Sequence, residues 1–185
     1  MRTLEDIEVP RLQSCSFYPY TLNENGEVAL LMRNKKDSKN SEYYLDFGTT
    51  VKESDPNILY SAARSYLAKS GGLCLASELE VVNSHSEVEK RLKDHSQKND
   101  IDIFTHPKIK EILGTIVSNK FHMVKDVIGE SHISFFYPLP YFRLEAINKA
   151  FADSEKYFDT SLHWITLGEI TEVEFHSKYL SAFDF

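Results

Sequence analysis

Cysteine is scarce in this chain, with two residues, and tryptophan scarcer, with one. Cys15 and Cys74 cannot build a disulfide framework or a cysteine-rich zinc site. Both are read as buried thiols in a reducing, cytoplasmic setting. No apolar run approaches the roughly 20 residues of a membrane-spanning helix, so no membrane partner is expected. The opening MRTLEDIEVPRLQ is polar and acidic, unlike a secretory leader. Positive charge is also short: 21 Lys and Arg against 28 Asp and Glu leave a formal net charge of −7. That balance works against broad nucleic-acid binding, whose affinity rests on phosphate neutralisation. It leaves room for a small nucleotide in a local basic pocket. The densest basic cluster, RNKK at Arg33 to Lys36, reads as a solvated strand end or loop. P-loop, G-x-S-x-G and G-x-G-x-x-G motifs are missing. His85, His95, His106, His122, His132, His163 and His176 form no metal-ligand spacing and read as surface or core residues.

The apolar and charged shares, 42% and 26% over 185 residues, suit one globular domain with a sizeable core. SCSFYPYTL (14–22) reads as a strand, NENG (23–26) as a turn and EVALLMR (27–33) as a second strand, together a hairpin. YYLDF (43–47) is a third extended piece. Beyond the midpoint, FHMVKDV (121–127), HISFFYPLPYF (132–142) and LHWITL (162–167) read as strands. Pro138 and Pro140 mean that the second of these ends at a sheet edge or leaves the ladder. Its aromatics could stack on a nucleobase; a core strand explains them with less assumption. Helices are expected at 84–97, 106–120 and 143–153, and GEITEVEFHSKYL closes as a helix or turn.

The most informative stretch is LDFGTTVKESDPNILYSAARSYLAKSGG, from Leu45 to Gly72. Asp55 before Pro56 marks a helix start, with Asp55 as cap. Ile58, Leu59, Ala62, Ala63, Tyr66 and Leu67 form one apolar face, and Gly71 and Gly72 suit a left-handed C-terminal cap. The order of elements and this stretch resemble the Nudix hydrolase family, whose box reads G-x5-E-x7-R-E-U-x-E-E-x-G-U. Arg64 takes the place of the box Arg, Gly71 the later Gly, Tyr66 the bulky apolar position, and Gly48 the opening Gly across a loop about two residues longer. EVALLMRNKK resembles the strand before the box, and LHWITLGEI the Trp-containing strand near the family's C-terminus. The resemblance implies an α+β fold, a Nudix-like α/β/α sandwich with a mixed β-sheet. No internal repeat or long linker interrupts the chain, so one domain is expected over 14–185 after an N-terminal extension at 1–13, and against the family 82–119 would be a helical insertion.

The departures bear on function. Where the box has three helix glutamates, this chain has Ser65, Ala68 and Lys69. Positions i, i+3 and i+4 share one helix face, where carboxylates could hold Mg²⁺. Ser, Ala and Lys cannot replace them, and an ammonium at Lys69 repels a cation while attracting a phosphate. The box's loop Glu falls at Pro56; Glu53 and Asp55 are the carboxylates near enough to pair with Arg64. The resulting expectation is a non-catalytic module binding a nucleotide-like ligand or a protein partner through Arg64, Lys69 and Gly48, with no cofactor. The alternative is a divergent hydrolase cleaving a nucleoside diphosphate linked to another moiety. It would need Mg²⁺ or Mn²⁺ held by Glu53, Glu78 and Glu80, with Glu53 and Glu130 as catalytic residues. A third reading uses the 82–119 insertion for docking. The tail, with Glu169, Glu172 and Glu174 before YLSAFDF, is similar to acidic tails of some bacterial secretion-system effectors, which adds a host cell as a second location. An ordinary C-terminal helix explains it as well.

Overall fold

The computed structural model describes residues 14–36, 41–70, 122–125 (backbone only), 132–155 and 157–171. The expected helices at 84–97 and 106–120, the glycine cap at Gly71 and Gly72, and the tail from 172 lie outside those residues.

The first hairpin is built from strands buried on both faces of the sheet. β1 (Ser14–Leu22) sends Cys15 and Phe17 to one face of the sheet and Tyr18 to the other, all buried. The turn closes through Gly26 N to Asn23 O at 2.9 Å, with Gly26 at φ +78°. β2 (Val28–Lys36) returns antiparallel, pairing Tyr20 with Leu30 and Leu22 with Val28. It runs three residues beyond the expected end at Arg33, because two strands hold it there. β3 (Glu42–Leu45) pairs with Arg33 to Lys36, and β7 (Thr160–Thr166) with Ala29 to Lys35.

Beyond the hairpin β1 and β2 part, and the chain from β3 to β4 (Thr49–Thr50) fills the wedge between them. β4 pairs with Ser14 and Cys15 of β1, and Phe47 N reaches Phe17 O at 3.2 Å. The sequence pattern did not show β4, because two residues carry no periodicity. On the other side of β1 lie β6 (His132–Pro138), parallel to it, and then β5 (His122–Lys125), antiparallel to β6. β6 leaves the ladder at Pro138, consistent with its prolines.

α1 (Ile58–Lys69) and α2 (Glu145–Ala152) pack on one face of this sheet. The six apolar positions expected on α1 are all buried there with Phe17, Leu31, Phe135 and Leu162. Tyr66 lies between Phe17, stacked at 5.0 Å, and Phe47, edge-on at 5.1 Å. α2 also seals β7: Asn148 donates to Leu162 O at 2.8 Å and accepts from Leu162 N at 2.7 Å. The described chain is therefore α+β, with a seven-stranded sheet and two helices.

Candidate functional site

The helix start differs from expectation. Asn57, not Asp55, caps α1, its side chain accepting from Tyr60 N at 2.8 Å. Asp55 and Asn57 carry the same local capping signal, and the first hydrogen-bonded turn begins only after Asn57. Asp55 is thereby free to face along the helix. It accepts from Arg64 Nε at 3.0 Å, from Arg64 Nη2 at 2.7 Å and from Ser61 Oγ at 2.6 Å. The two side chains are 11% and 4% exposed, a bidentate pair largely shielded from water. Burial pushes the Asp55 carboxyl up, but the bonds from Arg64 and Ser61 and the guanidinium charge outweigh it, and its pKa ends below the ordinary value. Glu53 is exposed and takes no part in the pair.

One turn further along α1, the positions of interest converge on a single atom. Ser65 Oγ donates to the Gly48 carbonyl at 3.1 Å, and the Lys69 ammonium donates to the same oxygen. Gly48 is required at this contact. A Cβ there would stand 2.7 Å from Asp46 Oδ2 and 2.9 Å from Ser16 Cα, and closer still to the Cys15 carbonyl. Ala68 takes part only through its carbonyl, which accepts from Tyr157 Oη at 2.9 Å. Burial lowers the Lys69 pKa to about 8, helped by the Arg33 and Arg64 charges and opposed by Asp46 and Cys15.

Arg33 corrects the reading of RNKK as solvated. It is 8% exposed, because strand alternation turns it to the helix face with Leu31. Its Nε and Nη2 both donate to Asp46 O, at 3.0 and 2.7 Å, and its guanidinium lies 5.6 Å from the Phe47 ring centroid. Lys35 and Lys36 instead pair with Asp159 and Glu42, at 3.2 and 3.4 Å. Arg33 falls two residues after Leu31, in step with the core-facing positions of the strand. That alternation is the one sequence signal that could have shown its burial.

The structure thus gathers Gly48, Ser65, Lys69, Arg33 and Asp46, with Arg64 beside them but committed to Asp55. Glu78, Glu80 and Glu130 lie outside the described residues. Among the described residues no group of three His, Cys, Asp or Glu could hold a metal ion. Helix-borne Mg²⁺ coordination does not fit Ser65, Ala68 and Lys69, since one is a neutral hydroxyl, one has no donor and one is a cation. His132 is a core residue whose ring nitrogens meet Ser14 Oγ at 2.8 Å and Ser16 Oγ at 3.1 Å. Cys15 is a buried free thiol whose pKa burial raises to about 12. Among the described residues no helix is long and apolar enough to cross a membrane.

No family model matches the sequence. No curated protein matches it. The fold is structurally similar to Nudix-domain structures. One is the Nudix hydrolase RenU from M. smegmatis, with a TM-score of 0.47 at 10% identity over 94% of this chain and 82% of that one. Another is the NUDIX domain of Shewanella oneidensis NrtR in complex with ADP-ribose, with a TM-score of 0.41 at 8% identity over 98% of this chain and 92% of that one.

Proposed function

We propose that this chain is a Nudix-fold binding or regulatory module, cytoplasmic, that takes a nucleotide-like ligand or a protein partner without catalysing metal-dependent hydrolysis. The domain runs over 14–185 as an α/β/α sandwich, with 82–119 as its insertion. One observation carries this reading: the Lys69 ammonium lies against the Gly48 carbonyl, on the helix face where box carboxylates would hold a cation. A divalent ion brought to that oxygen would meet a positive charge, with Ser65 as its other neighbour. The frame around it is intact, with Gly48 in the wedge, the apolar face of α1 buried and Arg64 locked by Asp55.

Direct product detection tests the reading. Concentrated protein is incubated with ADP-ribose, NADH, a diadenosine polyphosphate, nucleoside triphosphates and capped RNA, each with Mg²⁺, Mn²⁺ or chelator. The expected result is no turnover in any arm. Metal-dependent turnover that disappears in Glu53→Gln would overturn it and favour the divergent hydrolase with relocated ligands.

A further inference from the structure

Arg33 is buried and Lys69 half-buried, yet among the described residues neither makes an ion pair. Each gives its hydrogen bonds to a main-chain carbonyl, Arg33 to Asp46 O and Lys69 to Gly48 O. Those carbonyls are two residues apart in the segment that fills the β1–β2 wedge, and the two cations are near enough for the Arg33 charge to lower the Lys69 pKa. Removing an ion from water costs several kcal/mol, and carbonyl dipoles offset only part of that cost. The nearby charges do not balance either. Arg64 is cancelled by Asp55, and Cys15 is a neutral thiol at ordinary pH. Asp159, which also acts on Arg33, is taken up by Lys35, so among the described residues Asp46 stands as one negative charge against Arg33 and Lys69, a local excess of one positive charge (2 − 1).

We infer that Arg33 and Lys69 form a metal-independent site for a phosphoryl oxyanion, opened at half-buried Asp46, Gly48 and Thr49. This rests on the binding reading above and names the group that the site takes. A phosphoryl group carries nearly two negative charges near neutral pH and presents several oxygens, which suits one planar guanidinium and one ammonium. The ammonium would leave the Gly48 carbonyl for a phosphoryl oxygen, with Ser65 Oγ remaining on that carbonyl. The guanidinium N–H groups of Arg33 that have no acceptor among the described residues would meet a second oxygen, while Asp46 opposes binding. The assignment moves the anion from Arg64, where the sequence placed it, to Arg33.

Calorimetric titration of the full chain in excess chelator tests this, with inorganic pyrophosphate and ADP as separate probes. Pyrophosphate should bind without divalent metal. Lys69→Gln should weaken it by about tenfold or more, and Asp46→Asn should tighten it. Because Arg33 is buried, Arg33→Gln is read only if its far-UV and near-UV dichroism match the parent. Arg33→Lys, which keeps the charge and loses the fork, provides the second variant and should weaken binding less than Lys69→Gln. Pyrophosphate and ADP losing affinity together in these variants supports a nucleoside-diphosphate ligand at this site. Pyrophosphate binding with no ADP binding supports the oxyanion site and removes the nucleotide from the proposed function. ADP binding that Lys69→Gln and Arg33→Lys leave unchanged overturns this assignment while the binding module stands. Pyrophosphate binding that is undetectable at millimolar concentration, or that needs Mg²⁺, also overturns it.

Discussion

Asp55 shows how much a single carboxylate can organise once the helix cap is supplied elsewhere. Its two oxygens take both the guanidinium fork of Arg64 and the hydroxyl of Ser61. Removing it leaves a shielded guanidinium uncompensated, which is the expensive way to break a buried pair. Asp55→Ala is expected to lower the unfolding free energy by about 3 kcal/mol in urea titration. The double variant with Arg64→Ala should lose less than the sum of the two singles. Acid sensitivity follows with a definite sign. The folded pKa of Asp55 lies below its unfolded value, so its stabilisation is full above the unfolded pKa and lost as pH falls through the folded one. Stability measured from about pH 5 downward should therefore fall more steeply in the parent than in Asp55→Ala.

The wedge and α1 depend on each other as elements. β1 and β2 separate after three paired positions, Tyr20 to Leu22 against Val28 to Leu30, and the β3–β4 chain takes up the hydrogen bonds left behind. α1 then presses Tyr66 between Phe17 and Phe47 and tethers Gly48 from above through Ser65 and Lys69. There is no space for a side chain at Gly48, and two of its close neighbours are backbone atoms of β1, which cannot yield as a flexible side chain would. Gly48→Ala is expected to cost more than about 2 kcal/mol by urea denaturation. Gly168→Ala is the matched control. Its Cβ would meet its nearest atom, Thr166 Oγ1, at 4.0 Å, and it should stay within about 0.5 kcal/mol of the parent. Equal losses at the two glycines would refute the close approach at Gly48.

Across the whole molecule, the buried charge at Lys69 leaves a signature in stability against pH. Its folded pKa of about 8 lies below the ordinary 10.5, chiefly through burial. Between those values the unfolded chain binds more protons than the folded one, so this group's unfavourable contribution is full below about pH 8 and is relieved as pH rises. The slope from one such group is at most about 1.4 kcal/mol per pH unit. Comparison of the parent with Lys69→Met from about pH 7 to 10 should show the parent gaining stability relative to the variant. Parallel curves would mean that the ammonium is not shielded in the folded state.

Local pattern was enough for the parts of the fold whose information runs along the chain. β1 was legible to the residue, the NENG turn and the apolar face of α1 were legible as residue types at fixed spacing, and the lack of a carboxylate at Ser65, Ala68 and Lys69 could be read directly. Tertiary structure decided the rest, because it lies in contacts between residues far apart in sequence. Asp55 and Glu53 were equivalent partners for Arg64 until the chain turned, and the pair that formed spans nine residues. Arg33 belonged to a basic run that looked solvated until β3 and β7 extended its strand and brought Asp46 to it, thirteen residues away. Lys69 was a cation on a helix until the wedge carried Gly48 beneath it across twenty-one residues. Charge type is written in the sequence, whereas the water that a charge loses and the partner that it meets are set only when the sheet splays and the helix closes over it.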